Sequence, residues 1–235
     1  MKTKLTVASI ALLTMASAAY ADNVIYIDQT GSNASININQ DGTGNRVGAS
    51  GSGAESVSDG ASTTMDIDQV GTSNTLDYDI YGDSANITSD ITGNSSDIDI
   101  QVGTTNDTNA GSDDVDITIN ASGGNSNTVN TSVGTTATGV DDVDIDVDIS
   151  GGSNSVTITE NSTADSVADK KTDIDITGSS NTVTATKSGA SQHDTTLNIT
   201  GSSNTFSVTQ SGAEASTVDV TTDGSSSSVT ITVAD

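Results

Sequence analysis

The chain has 235 residues, 32 acidic against 6 basic, a single His, and no Cys, Pro or Trp. Hydrophobic residues make up 31% and aromatics 2%, too little Leu, Phe and Met for a thick core of helices layered on sheets. The absence of Cys excludes disulfides and thiolate metal sites, and the formal charge of −26 opposes binding to nucleic-acid backbones or anionic membranes.

Lys2 and Lys4 precede the apolar run Leu5–Leu13, and Ala19-Tyr20-Ala21 has the small-x-small form of a cleavage site. This is the pattern of a secretory signal peptide over residues 1–21, and the apolar run is too short to span a bilayer. The expected product is residues 22–235, secreted, with Arg46, Lys170, Lys171 and Lys187 against all 32 acidic residues.

Beyond the leader, short alternating runs recur around a small turn. Met65-Asp66-Ile67-Asp68, Val115-Asp116-Ile117-Thr118-Ile119, Val143-Asp144-Ile145-Asp146-Val147-Asp148-Ile149 and Ile174-Asp175-Ile176 come before it. Val156-Thr157-Ile158-Thr159, Val183-Thr184-Ala185-Thr186 and Phe206-Ser207-Val208-Thr209 come after it. Period-two alternation in β-branched residues predicts half-buried strands, and no window has a helical apolar stripe. The turns are Gly71-Thr72-Ser73-Asn74, Gly124-Asn125-Ser126-Asn127, Gly151-Gly152-Ser153-Asn154, Gly178-Ser179-Ser180-Asn181 and Gly201-Ser202-Ser203-Asn204. Gly and Asn both tolerate positive φ, so the pair is expected to reverse the chain there.

From Gly124 to Gly224 the glycines recur every 27 or 23 residues, the period of a stacked-repeat protein. The second connection of each repeat varies in length, and a Gly/Ser-rich insertion occupies about 46–63. The fold expected is an all-β solenoid of about eight or nine strand–arc–strand rungs, with about 22–27 residues per repeat. One rung buries too little apolar surface to persist alone, so rungs must stack, and an end rung presents unpaired backbone that recruits further strands.

Gln40-Asp41-Gly42-Thr43-Gly44-Asn45 has the Q-x-G-x-G-N form of the curlin repeat, and Gln29-Thr30-Gly31-Ser32-Asn33, Gln69-Val70-Gly71-Thr72-Ser73-Asn74 and Gln210-Ser211-Gly212 are partial copies. The chain thus resembles the subunits of bacterial curli amyloid fibres, whose repeat is about 22 residues. Between 114 and 204 the Gly and Asn persist while Thr, Asp or Ser replace Gln. The resemblance implies a self-assembling extracellular subunit, serving adhesion and biofilm matrix, with an outer-membrane secretion pore and a nucleator as partners. Its assembly positions here are Gln29, Asn33, Gln40, Gly42, Gly44, Asn45, Gln69, Gly71, Asn74, Asn127, Asn154, Asn181, Asn204 and Gln210.

Alternation also points Asp66/Asp68, Asp97/Asp99, Asp114/Asp116, Asp142/Asp144/Asp146/Asp148 and Asp173/Asp175 outward. Stacked in register, such rows repel unless protonated or bridged by Ca²⁺, for which Asp142, Asp144, Asp146 and Asp148 are the candidate ligands; no cofactor is otherwise expected. Thr157/Thr159, Thr182/Thr184/Thr186, Thr205/Thr209 and Thr230/Thr232 would line a flat face. That face gives the competing reading, a monomeric solenoid binding a glycan, a cell surface or ice. No enzyme is expected: His193 is the lone His, placed in a Gly/Ser-rich corner, and the carboxylates single out no catalytic pair.

Overall fold

A computed structural model describes residues 12–16, 25–30, 33–42, 44–48, 56–59, 62–71, 73–81, 84–93, 95–102, 114–124, 126–134, 142–161, 170–189, 192–212 and 216–234. Most of the leader, the centre of the Gly/Ser-rich insertion and the longer connections (135–140 and 162–169) lie outside the described residues.

Every named element is a strand: β1 Leu12–Ala16, β2 Asp28–Thr30, β3 Ala34–Asp41, β4 Asn45–Val47, β5 Ser56–Asp59, β6 Thr63–Val70, β7 Asn74–Tyr81, β8 Ser84–Thr92, β9 Ser95–Val102, β10 Asp114–Ser122, β11 Ser126–Val133, β12 Asp142–Ser150, β13 Ser153–Asn161, β14 Lys170–Thr177, β15 Ser180–Ser188, β16 His193–Thr200, β17 Asn204–Ser211, β18 Thr217–Asp223 and β19 Ser227–Ala234. They form two parallel sheets. The first has nine strands in the order β1-β3-β6-β8-β10-β12-β14-β16-β18, and the second has ten, β19-β17-β15-β13-β11-β9-β7-β5-β2, with β4 beside β7. The chain alternates between the sheets, one strand in each per rung except that β4 and β5 share the second sheet beside β7, so the architecture is a β-solenoid.

The register explains why the repeat need not be constant. Thr63 faces Ala85 across 22 residues, whereas Ser95 faces Ser126 across 31, yet both pairings keep apolar residues inward. Each strand keeps its phase because a one-residue slip would expose its entire inner set. The surplus residues sit in the connections, wider in range than the 22–27 expected. In β12 the burial alternates without a break: Val143, Ile145, Val147 and Ile149 are buried while the aspartates between them are exposed. Buried Ile, Val and Leu from both sheets meet in one narrow continuous core, with Met65, Tyr78 and Phe206 as its largest members.

Of the five turn glycines, Gly124 has the positive φ expected and the other four have a different role. Among the described residues, positive φ occurs at Gly48, Gly123, Gly124, Gly134 and Gly189, and Asn33 is the one non-glycine with it. Gly71, Gly151, Gly178 and Gly201 do not use it. They are glycines because rungs approach closely: a methyl on Gly201 would collide with the carbonyl oxygen of Gly178, and one on Gly224 with that of Gly201. The amides of Gly151, Gly178 and Gly201 bond to Thr177, Thr200 and Asp223 of the next rung at 2.8–2.9 Å.

Candidate assembly site

The turn asparagines form one inward column. Asn45 pairs with Asn74, Asn74 with Ser96, and Ser96 with Asn127; the series continues through Asn154, Asn181 and Asn204 to Ser227. From Asn45 to Asn204 every member is at most 3% exposed. Asn127 donates to Asn154, Asn154 to Asn181 and Asn181 to Asn204, each Nδ2 to Oδ1 at 3.0 Å. Asn181 and Asn204 also donate to the carbonyls of Gly178 and Gly201 at 3.3 and 3.1 Å. Asparagine here joins rung to rung inside the coil and ties each turn to its own backbone. It does not serve chain reversal.

The other assembly positions divide. Gln69 donates to Gln40 at 2.7 Å, and Gln40 to the Arg46 carbonyl at 3.1 Å, but Ile91 follows Gln69 in register and ends the pair. Gln210 lies in the opposite sheet, bonded to Thr195 Oγ1 at 2.8 Å, away from any other glutamine ladder. Gln29 faces Ser58 in the short β2–β5 pair, and Asn33 occupies an exposed turn. Gly42 and Gly44 precede Asn45 on the tight arc, where the Gly42 amide bonds to the Val70 carbonyl at 2.9 Å.

A second inward column was hidden in the sequence. Glu160, Lys187 and Gln210 are in register in one sheet, with Lys170 and His193 in register in the other, and all five are fully buried. Lys187 Nζ lies 3.4 Å from Glu160 Oε1 and donates to the carbonyls of Asp194 and Lys170 at 2.9 and 3.2 Å. Thr172 donates a short hydrogen bond to Glu160. Burial lowers the Lys187 pKa against the opposing pull of Glu160. Burial first, then Lys187 and Lys170, lowers His193 to about 4. His193 is thus an interior side chain at the start of β16 rather than a corner residue.

The outer faces differ sharply in charge. On the first sheet Asp114 stacks on Asp142, Asp116 on Asp144, Asp146 on Asp173 and Asp148 on Asp175. The pKa values of Asp116, Asp146, Asp148 and Asp173 are raised, first by desolvation and then by neighbouring aspartates; Lys171 opposes the rise at Asp146 and Asp173. Asp142, Asp144, Asp146 and Asp148 do not converge as ligands. They alternate along one strand, roughly 6.8 Å from one to the next, and Lys171 sits 3.6 Å from Asp144. Among the described residues no group of three or more His, Cys, Asp or Glu is gathered to hold a metal. On the second sheet, Thr157-Thr184-Ser207-Thr230 and Thr159-Thr186-Thr209-Thr232 form adjacent outward rows.

The carboxy-terminal end is uncovered. Phe206, Val208 and Gln210 are buried beneath Val229, Ile231 and Val233, which are themselves 44%, 45% and 46% exposed. Nothing described stacks on β18 or β19 beyond this last rung. At the other end, β1 pairs with Asn37–Asp41 of β3, so loss of residues 1–21 would leave β3 first in its sheet. No helix among the described residues is long and apolar enough to cross a membrane. No protein-family model, curated protein or solved structure matches the chain.

Proposed function

We propose that this chain is a secreted structural subunit whose copies stack end on end into extracellular curli-like amyloid fibres for adhesion and biofilm matrix. The observation that carries the reading is the half-exposed row Val229, Ile231 and Val233, which lies over the buried Phe206, Val208 and Gln210 with nothing described stacked on its other side. A second copy placed in register would bring Ile25, which already covers Val47 at the other end of the second sheet, over Val229, extending that sheet with its existing inner chemistry. Unpaired parallel strand edges with inward apolar residues are templates for such addition. The leader pattern and the curlin-like Gln40–Asn45 segment support export and polymerisation; a secretion pore and a nucleator belong to the same reading.

The test is polymerisation of the purified chain, followed by thioflavin fluorescence and electron microscopy. Wild type forms fibres, and Ile231→Asp, which puts a charge into the end column, suppresses elongation. A wild-type chain that remains a single compact particle at high concentration would remove the proposal. It would leave the second reading, a monomeric solenoid that binds a glycan, a cell surface or ice through its hydroxyl rows.

A further inference from the structure

Among the described strands of the carboxy-terminal half, outward-facing charge lies on one sheet. In the second sheet, the outward positions of β11, β13, β15, β17 and β19 are all Ser, Thr, Asn or Ala, without one ionisable group. The equivalent first-sheet strands carry the stacked aspartates. Asp97 and Asp99 on β9 mark where the uncharged face ends. In a molecule of formal charge −26, this is the broad surface that another copy can approach without carboxylate repulsion.

The face is also self-complementary. A hydroxyl donates and accepts, so a lattice of Thr and Ser can bond to an identical lattice, whereas a face of carboxylates only accepts. Regular strands in register keep it flat, and the threonine methyl groups add apolar area between hydroxyls. Five strands of eight or nine residues span roughly 24 Å by 27 Å, about 600 Å² per copy and about 1,200 Å² for a facing pair, the lower bound of specific interfaces.

We propose that this Thr/Ser face is a lateral interface, through which a second copy of the chain packs face to face so that fibres are built from paired stacks. The inference rests on the fibre reading for its context but concerns a different surface from the uncovered end. Thr157 and Thr184, stacked near its centre, face their counterparts across the pair. The acidic first sheets lie outermost, toward solvent.

The test substitutes Thr157→Asp and Thr184→Asp together; the fold already tolerates such stacking, since Asp146 sits on Asp173 in the first sheet. A control, Ser122→Asp with Thr177→Asp, adds the same charge to the opposite face. The expected result is that wild type and control share one mass per unit length by electron microscopy, and the Thr-face variant has half of it while still elongating. Equal values for all three overturn the inference and leave end stacking intact. If wild type forms no fibres, the fibre reading fails separately. Sedimentation then decides the interface: a dimer that the Thr-face variant splits supports it, and a monomer overturns it.

Because the chain has no Cys, Thr184→Cys provides a second measurement that does not depend on added charge. Cross-linking between copies at Thr184→Cys, but not at Thr118→Cys on the acidic face, supports the pairing; cross-linking at neither position opposes it. Thermal hysteresis, or co-sedimentation with insoluble glycan, that the Asp variant abolishes without changing the assembled mass identifies ice or a glycan as occupant and overturns the second copy.

Discussion

Asn74 stacks directly on Ser96, and the contact satisfies neither side chain: both amide atoms of Asn74 and the Ser96 hydroxyl are buried without a hydrogen-bond partner. Ser96 is the one break between Asn45 and Asn204 in an otherwise continuous asparagine column. Ser96→Asn would place an amide between Asn74 and Asn127. Satisfying buried amide groups contributes about 1–2 kcal/mol, so the melting temperature should rise by about 3–6 °C. Ser95→Asn, one position away, should not reproduce the gain in a thermal melt.

Close approach of rungs at the tight arc gives the opposite prediction. Gly201→Ala drives a methyl into the Gly178 carbonyl, and backbone cannot yield as a flexible side chain can. A loss of about 3 kcal/mol is expected, against under about 0.5 kcal/mol for Ser202→Ala beside it, where the side chain is exposed. Denaturant melts of the two variants check this. A benign Gly201→Ala would overturn the close-approach account, because Gly201 has no positive φ to explain a glycine there.

Two pH effects run against each other and can be separated. Asp148 has a raised pKa, so the folded chain holds its proton more tightly than the unfolded chain does. Its contribution is therefore most favourable in acid and declines as pH rises through the folded value. Asp148→Asn should raise the melting temperature at pH 7 by about 1–2 °C, a small gain because the group is largely exposed. The gain should vanish near pH 3. His193 works the other way. Its pKa falls to about 4, so the cost of keeping it neutral in the fold grows as pH drops from about 6.5 toward that value. His193→Gln should therefore gain on wild type progressively over that window in melts at fixed ionic strength.

The buried pair of Glu160 and Lys187 predicts an asymmetry between single and double replacement. Glu160→Ala leaves the Lys187 ammonium in the interior without its carboxylate and should cost about 3–5 kcal/mol. Replacing both by Leu removes the desolvated charges together and should recover most of that loss. Equilibrium unfolding of the single and double variants measures the difference. Equal losses would show that the hydrogen bonds from Thr172, and from Lys187 to the Asp194 carbonyl, matter more than the ion pair.

Much of the coil was legible because period-two alternation reports which way a strand faces. Val143 through Ile149 describes its own burial, and the spacing of Gly124, Gly151, Gly178 and Gly201 gives the stacking period. What stayed hidden were the polar residues at inward positions. Lys170 opens β14 and Glu160 lies near the end of β13, where a charged side chain breaks the apolar alternation. Only pairing brings Lys187 onto Glu160, and no sequence window contains that neighbour. The turn asparagines were conspicuous, yet their type suited chain reversal equally well. The buried amide column became distinguishable once Asn127, Asn154, Asn181 and Asn204 were seen aligned across three pairings.

From Asn127 to Asn204 each carboxamide donates a hydrogen bond to the next in the same sense, and all the strands run parallel. Their moments therefore add along the rod, leaving it with two electrically unlike tips. A filament laid down from such rods has a built-in arrow. Bundles grown with all arrows alike would generate a second-harmonic optical signal, and bundles with arrows opposed would be dark.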